Sequence, residues 1–388
     1  MQIPRSPGGS SRPGSILPPS PSQELTPARF RGTILDTVPT HNQPHSSSHA
    51  RTLPALLARA LQARAPLIGR KVTQAIRVFS GSADGLDGVF VDVYGPGAVL
   101  IVYEGVAGRF FEAGVDAAGE AKSILEALAP QGVKAVYLKP FAKDRSKMGG
   151  ELPPVVTDPT PAAGELLPEA ILIREHGWNL EIRLYDGLST GLFLDQRENR
   201  RFVADWVKDR ARVAGKPPTV LNTFAYTCAF SVAAATAGAI TASVDVSGRY
   251  LDWGKRNFQH NNLDPALHRF AKMDTFEFFG YAKRKGLTFD LIILDPPSFA
   301  SGNKKKGIRP WSSVADYARL VGEASVLLNL KGVILASTNT QELCRPGRLE
   351  REIVKGLGGK PPRWQRLPDI PLDFARDSER FAARAFAV

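Results

Sequence analysis

The chemistry in this sequence is concentrated in Phe289-Asp-Leu-Ile-Ile-Leu-Asp-Pro-Pro-Ser-Phe299. Leu291 to Leu294 is a short apolar run of the kind that a strand buried on both faces requires. An acid and two prolines end it. Pro296 and Pro297 have fixed φ and no backbone N–H, so the chain must leave the sheet in a stiff turn, with Asp295 at the strand's carboxyl end. Open α/β sheets place their ligands at such ends. The loop offers a carboxylate, carbonyls held by proline and the Phe299 ring, a set that suits a flat, amino-bearing ring.

The acid has counterparts upstream. Ile240–Val244 reads as a strand ending in Asp245, and His268–Lys272 as a strand followed by Asp274. Acids spaced in this way at consecutive strand ends suit a nucleoside cofactor: Asp245 for the ribose hydroxyls and Asp274 for an amino group of the base. Taken singly, each is explained equally well as a helix N-cap. The turn after the strand Val220–Asn222, Asn222-Thr-Phe-Ala-Tyr-Thr-Cys-Ala-Phe230, is expected to lie against the cofactor's remaining part. No Gly-x-Gly-x-x-Gly is present, which argues against a dinucleotide. Asp195, Gln196, Arg197 and Arg200 crowd the start of a helix reaching about residue 211, and that density of polar groups suggests a site.

The elements that must position these groups form repeated strand–helix units from residue 219 onward, which implies a mostly parallel, doubly wound α/β sheet. Helices are expected near 230–237, 248–262, 275–285, 312–328 and 346–356. The fifth strand is Gly332–Ser337, and edge strands lie near 363–368 and 381–387. Residues 71–164 read as a small α+β domain, with strands at 76–79, 88–94, 98–103 and 135–138 and a helix over about 108–129. Lys139, Lys143, Arg145 and Lys147 then read as a solvated basic loop, with Arg145 a candidate phosphate contact. Lys304, Lys305, Lys306 and Arg309 form a second basic run.

Residues 1–70 are expected to be a disordered leader rich in Pro, Ser and Gly. With eight arginines, no lysine and only Glu24 and Asp36 as acids, this leader supplies six of the chain's twelve net positive charges. It reads either as an organellar transit peptide, with Leu53–Arg64 an amphipathic helix, or as a variable bacterial extension. A net charge of +12 favours a polyanionic partner, nucleic acid first. No run of about 18 apolar residues is present, so no membrane span is expected. Two cysteines, Cys228 and Cys344, make no disulfide framework and no metal-ligand spacing with the six histidines, so no metal is expected and the chain reads as intracellular and reduced.

Residues 76–388 resemble the class I S-adenosylmethionine-dependent RNA methyltransferases related to the bacterial 23S rRNA cytosine-5 enzymes. The resemblance is carried by Gly81-Ser-Ala-Asp-Gly-Leu-Asp-Gly-Val-Phe-Val-Asp92, Glu175-His-Gly177, Thr190-Gly-Leu-Phe-Leu-Asp-Gln-Arg197, Leu221-Asn-Thr-Phe-Ala-Tyr-Thr227, Val244-Asp245, Asn257 to Leu263, and Asp295-Pro-Pro-Ser-Phe299. It implies a Rossmann-like methyltransferase domain over 165–388, with S-adenosylmethionine lined by Gln196, Phe224, Tyr226, Asp245 and Asp274, beside Asn222 and Asp295. It further implies a target base held by Asp295, Pro296, Pro297 and Phe299, and an RNA partner contacted by Arg145, Arg197, Lys304, Lys305, Lys306 and Asn339. A cytoplasmic monomer or homodimer is expected.

Two departures from the family pattern stand out. The family's N-terminal RNA-binding PUA domain has no counterpart before residue 76. The cytosine-5 members also carry a nucleophilic cysteine after the fifth strand, where this sequence has Asn339 in Ser337-Thr-Asn-Thr340. Cys344 reaches that place only if the loop folds back, whereas Cys228 reads as a packing residue. C5 of cytosine needs a thiolate added at C6, but an exocyclic amine does not. Direct transfer to a base nitrogen, guanine first, is therefore expected, most readily in 23S-type rRNA. A small-molecule or protein substrate, and a cytosine-5 reaction through Cys344, are the alternatives.

Overall fold

The computed structural model describes residues 52–103, 117–141, 152–300, 302 and 310–388. The sequence periodicities become two sheets and two short hairpins. The smaller sheet has the order β1-β2-β3-β4-β5, formed by Ala75–Ser80, Val89–Tyr94, Gly97–Tyr103, Ala135–Phe141 and Ala163–Gly164. Only β3 and β4 run parallel. Its helices are α1 (Leu53–Arg70) and α2 (Ala117–Leu128). The hairpin of β6 (Ile171–Glu175) and β7 (Trp178–Ile182) leads on to α3 (Arg197–Ala214).

The expectation of a disordered leader as far as residue 70 is corrected from residue 53 onward. Leu53, Leu56, Leu57, Ala60 and Leu67 recur at helical spacing, and all are buried with Val78, Val89, Leu100, Ile124 and Leu128 in one core. Arg64 on the same face enters the fold, where its Nη2 lies 2.6 Å from Asp84 Oδ2 and its Nε donates to the Arg77 carbonyl at 2.7 Å. The amphipathic helix read over Leu53–Arg64 is present, and its apolar stripe belongs to the small sheet and not to a leader.

The larger sheet has the order β10-β9-β8-β11-β14-β16-β15. Its strands are β8 (Thr219–Thr223), β9 (Ile240–Asp245), β10 (Arg269–Lys272), β11 (Phe289–Leu294), β14 (Leu328–Thr338), β15 (Arg363–Gln365) and β16 (Ala382–Ala387). The first five in spatial order are parallel, and β16 is antiparallel to both of its neighbours. All six residues of β11 are buried. Leu291 and Ile293 pack with Val203 and Val207 of α3 and with Phe230 and Ala234 of α4 (Ala229–Thr236). Ile292 and Leu294 face the other way. They pack with Phe278 of α6 (Thr275–Arg284) and with Tyr317 and Leu320 of α7 (Ser313–Ser325); α5 (Gly248–Gln259) lies between β9 and β10 in the chain. A strand covered on both faces must be apolar throughout, so β11 is a run and not an alternation.

Register then does the functional work. Leu294 pairs with Thr223 of β8 and Ala336 of β14, and Thr223 pairs with Val244 of β9. The next residue on each strand therefore stands in one row: Asp245, Phe224, Asp295 and Ser337. Side-chain identity decides whether a strand end carries chemistry, and pairing register decides which ends meet.

Because α1 is packed rather than appended, Leu57→Ala is expected to lower the unfolding free energy by about 2–5 kcal/mol. Urea denaturation monitored by tryptophan fluorescence reads this. A change within the scatter of surface substitutions would detach α1 from the core.

Candidate active site

Three residues in the turn after β8 have left-handed backbone: Phe224 at φ 52°, Tyr226 at φ 49° and Cys228 at φ 62°. Each costs a non-glycine residue about 1–2 kcal/mol. The alternation folds the turn back over the strand ends, and hydrogen bonds hold it. The Ala225 N–H donates to the Val244 carbonyl at 2.9 Å and the Tyr226 N–H to Asp245 Oδ2 at 2.9 Å. Asp245 Oδ1 accepts from the Ser247 N–H at 2.8 Å. Burial pushes the Asp245 carboxyl up, although both N–H donors oppose that. Each Asp245 oxygen retains a lone pair able to accept from a vicinal diol. Asp274 caps α6, with Oδ1 accepting from the Phe276 and Glu277 N–H groups, which leaves its second oxygen for another donor.

Phe224, Tyr226, Asn222, Gln196, Phe193 and Asp295 line one narrow cavity at this row. Burial pushes the Asp295 carboxyl up to about 6 and nearby Asp195 adds to it; the hydrogen bond from Ser337, then Gln196 and Arg200, oppose the rise. The Ser337 hydroxyl donates to Asp295 Oδ1 at 2.7 Å. Phe299 is 65% exposed beside this carboxylate, on the short strand β12 (Phe299–Ala300) paired with β13 (Trp311–Ser312). Asn339, where a cysteine nucleophile would stand, accepts from the Ser298 hydroxyl through Oδ1 at 2.9 Å. Cys344 ends the short helix α8 (Gln341–Cys344), with Sγ 3.5 Å from the Thr338 carbonyl, and burial pushes its thiol up to about 11. Cys228 is buried, its thiol pushed up to about 12 by burial, and it packs so closely on Gly254 that a Cβ there would lie 2.4 Å from its sulfur.

Several expectations need correction. Arg197 is not a substrate contact: it has no exposed surface, it forks onto Asp373 at 2.8 and 3.0 Å, and it donates to the Ala75 carbonyl at 2.7 Å. Helical spacing turns it inward while its neighbour Glu198 stays half-buried. Pro297 does not offer its carbonyl to a ligand, because Trp311 Nε1 and the Ser313 hydroxyl donate to it at 2.7 and 2.9 Å. Asn222 Nδ2 donates to Ser231 at 3.0 Å, and Gln196 donates to Ser337 and accepts from Asn199, so the Gln196 amide shapes the cavity wall with both ends engaged. Lys139 is not in a loop. It lies within β4 with no exposed surface, its Nζ 3.2 Å from the Leu188 carbonyl, and burial pushes it down to about 7 against the pull of Asp92. Lys143, Arg145, Lys147, Lys304, Lys305, Lys306 and Arg309 lie outside the described residues.

Other residues of the site stood within the family motifs or a polar cluster, and the structure gives their contacts. Glu175 is fully buried and takes Arg200 bidentately at 2.6 and 3.0 Å, while Arg200 Nη1 donates to the Phe193 carbonyl at 2.9 Å. Gly191, at φ 106°, passes so close to Trp253 that a Cβ would lie 2.4 Å from the indole. Ser337 carries no motif signature at all. A larger cavity of about 860 Å³ opens elsewhere, between α1 and the β6–β7 turn, lined by Leu61, Ile68, Val72, Val93 and His176. No strand of the large sheet reaches it. Among the described residues no group of three His, Cys, Asp or Glu could hold a metal.

The donor set fits a nucleoside cofactor, with carboxylate oxygens free to accept at Asp245 and Asp274 and the Phe224–Tyr226 turn beside Asp245. Comparisons with known proteins agree. The sequence profile described as S-adenosylmethionine-dependent methyltransferase matches residues 161–355. A Bacillus subtilis protein provisionally named a ribosomal RNA large subunit methyltransferase is 40% identical over 73% of this chain, which spans 65% of that relative's length. A Deinococcus radiodurans ribosomal RNA large subunit methyltransferase is 29% identical over 84% of this chain and 76% of its own. A solved structure provisionally described as a methyltransferase complexed with SAH is 31% identical at a TM-score of 0.70, covering 86% of this chain and 80% of that one.

Arg197→Ala leaves buried Asp373 without its bidentate partner and is expected to cost about 3–5 kcal/mol of stability. Chemical denaturation measures it. Full stability with a loss of substrate affinity alone would return Arg197 to the binding face.

Proposed function

The chain belongs to the S-adenosylmethionine-dependent methyltransferase family, and on that premise we propose that it methylates a nitrogen of an RNA base, in large-subunit ribosomal RNA, at Asp295-Pro296-Pro297-Ser298-Phe299. One observation carries this reading: a half-buried carboxylate, Asp295, closes the strand-end row while the nucleophile's place holds Asn339. The relatives named as ribosomal RNA large subunit methyltransferases supply the substrate class.

S-adenosylmethionine supplies an electrophilic methyl group and leaves as S-adenosylhomocysteine. Asp245 accepts from the ribose hydroxyls, Asp274 from the adenine amine, and the Phe224–Tyr226 turn holds the remainder. Phe299 stacks on a base taken out of its helix. An amine that gains a methyl group must lose a proton. Asp295 accepts the N–H hydrogen bond, which frees the lone pair and orients it, and then takes the proton and releases it to water. Neither cysteine supports C5 chemistry: Cys228 packs behind the turn, and the Cys344 thiol is protonated at neutral pH and turned toward Thr338. Phosphate contacts fall to the basic runs containing Arg145 and Lys304 to Lys306. No helix among the described residues is long and apolar enough to cross a membrane, and a ribosomal substrate places the reaction in the cytoplasm, or in an organelle if the leader directs it there.

Asp295→Asn is expected to lower methyl transfer by about 10²–10³-fold, with a smaller loss of cofactor affinity. The assay is transfer of labelled methyl to RNA lacking the modification, followed by nucleoside digestion and mass spectrometry. Label in a methylguanosine supports the reading, and Cys344→Ser retains it. Label in 5-methylcytidine overturns nitrogen transfer, and label absent from RNA overturns the substrate. Because burial raises the Asp295 carboxyl to about 6, kcat/KM should fall as pH drops through that value, where the proton acceptor becomes protonated, and level off above it.

A further inference from the structure

Ser337, the penultimate residue of β14, has no exposed surface and belongs to none of the groups that touch a ligand in the reading above. Its hydroxyl is nonetheless the closest hydrogen-bond partner of the reactive carboxylate, at 2.7 Å from Asp295 Oδ1. The Ser337 hydroxyl oxygen in turn accepts from Gln196 Nε2 at 2.9 Å, and Gln196 Oε1 accepts from Asn199 Nδ2 at 2.8 Å. The direction of this chain is determined. An ionised carboxylate can only accept, so the Ser337 hydroxyl must donate to Asp295, and its oxygen is left to accept the Gln196 N–H. The Ser337 hydrogen then points to Asp295, since its other acceptor, the Leu294 carbonyl, is 3.5 Å away. Tyr317 Oη donates to the Ser337 carbonyl at 2.8 Å and so fixes the backbone that carries the hydroxyl.

We propose that Ser337 is a positioning residue for methyl transfer: supplied through Asn199 and Gln196, its hydroxyl holds the Asp295 carboxylate ionised and aimed at the nitrogen that receives the methyl group. This rests on the assignment of Asp295 to the transfer. Packing alone does not account for a serine here, because alanine would fill the same space without a buried hydroxyl to satisfy. The charged and titratable groups facing Asp295 are Asp195 and Arg200 from the start of α3 and its approach, and the Tyr317 phenol from α7. Asp195 disfavours the carboxylate and Arg200 favours it. Among the groups that oppose burial, the Ser337 hydrogen bond is the largest. It therefore keeps Asp295 able to accept a proton at neutral pH, in a place that by burial alone would neutralise it.

The test compares wild type with Ser337→Ala and Ser337→Thr by ¹³C titration of the Asp295 carboxyl and by the pH profile of kcat/KM for methyl transfer to RNA. In Ser337→Ala the titration and the acidic limb should both move up by about one pH unit, equivalent to about a tenfold loss of transfer below neutral pH, with KM for S-adenosylmethionine unchanged. Ser337→Thr keeps the hydroxyl and should keep the wild-type limb. An unshifted limb in Ser337→Ala, or a folded Ser337→Thr that shifts as alanine does, overturns the proposal. If Ser337→Ala does not fold, Gln196→Met removes the donor one step back; a shift in the same direction supports the chain and no shift overturns it. The carboxyl titration needs no substrate. Failure of RNA as a methyl acceptor would thus strike the functional reading and leave this inference to be decided by the shift.

Discussion

A buried ionic cluster at the start of α3 is the constraint on which the rest of the structure depends. Arg197 and Arg200, one helical turn apart, bind Asp373 and Glu175, and all four side chains are buried. Through them the β6–β7 hairpin, α3, β1 and the 3-10 segment Leu372–Arg380 are fixed to one another. Charges so far from water are tolerated only when every one is paired, and removing any partner leaves an uncompensated ion. The cluster is therefore stringent about geometry, whatever its net contribution to stability. It fixes the residues just before it, Phe193 to Gln196, and these form one wall of the site.

The opposite wall is made by the sheet. Five parallel strands bring their carboxyl ends to one level, and pairing between β8, β9, β11 and β14 places Asp245, Phe224, Asp295 and Ser337 side by side. Strain is stored in the Phe224–Cys228 turn, where three left-handed residues leave the backbone amides free to hold Asp245. The small sheet contributes from a third side. Lys139 inserts its ammonium beneath the carbonyls of Leu188 and Ser189, which supports the loop leading to Gly191. The small sheet thus shapes the site through a buried lysine amine.

At the end of β14 two residues set the chemistry in different ways. Asn339 is exposed and accepts from the Ser298 hydroxyl, and in the proposed reading it stands where a thiolate would be needed for attack on a pyrimidine ring. Ser337, two residues earlier, points inward and acts on Asp295. Ser337 lies within the strand and is buried, whereas Asn339 follows its last residue, Thr338, and is exposed.

Much of this was legible in the residues alone. The apolar run of β11 and its Asp-Pro-Pro stop, the acids after β9 and β10, and the strand–helix alternation are local patterns, and local physics produces them: a doubly covered strand must be apolar, and proline must end it. The sequence did not determine which polar residues of α3 face inward, because Arg197 and a solvent-facing arginine have the same local context until Glu175 and Asp373 arrive from elsewhere in the chain. Lys139 looked like loop charge for the same reason, and α1 looked like leader because its partners lie on a sheet formed by later residues. The Asn199–Gln196–Ser337–Asp295 chain joins two segments about 140 positions apart, with the Gln196–Ser337 contact spanning 141. Only strand register and helix docking set such contacts, so the tertiary structure alone decided how the Asp295 carboxylate is held.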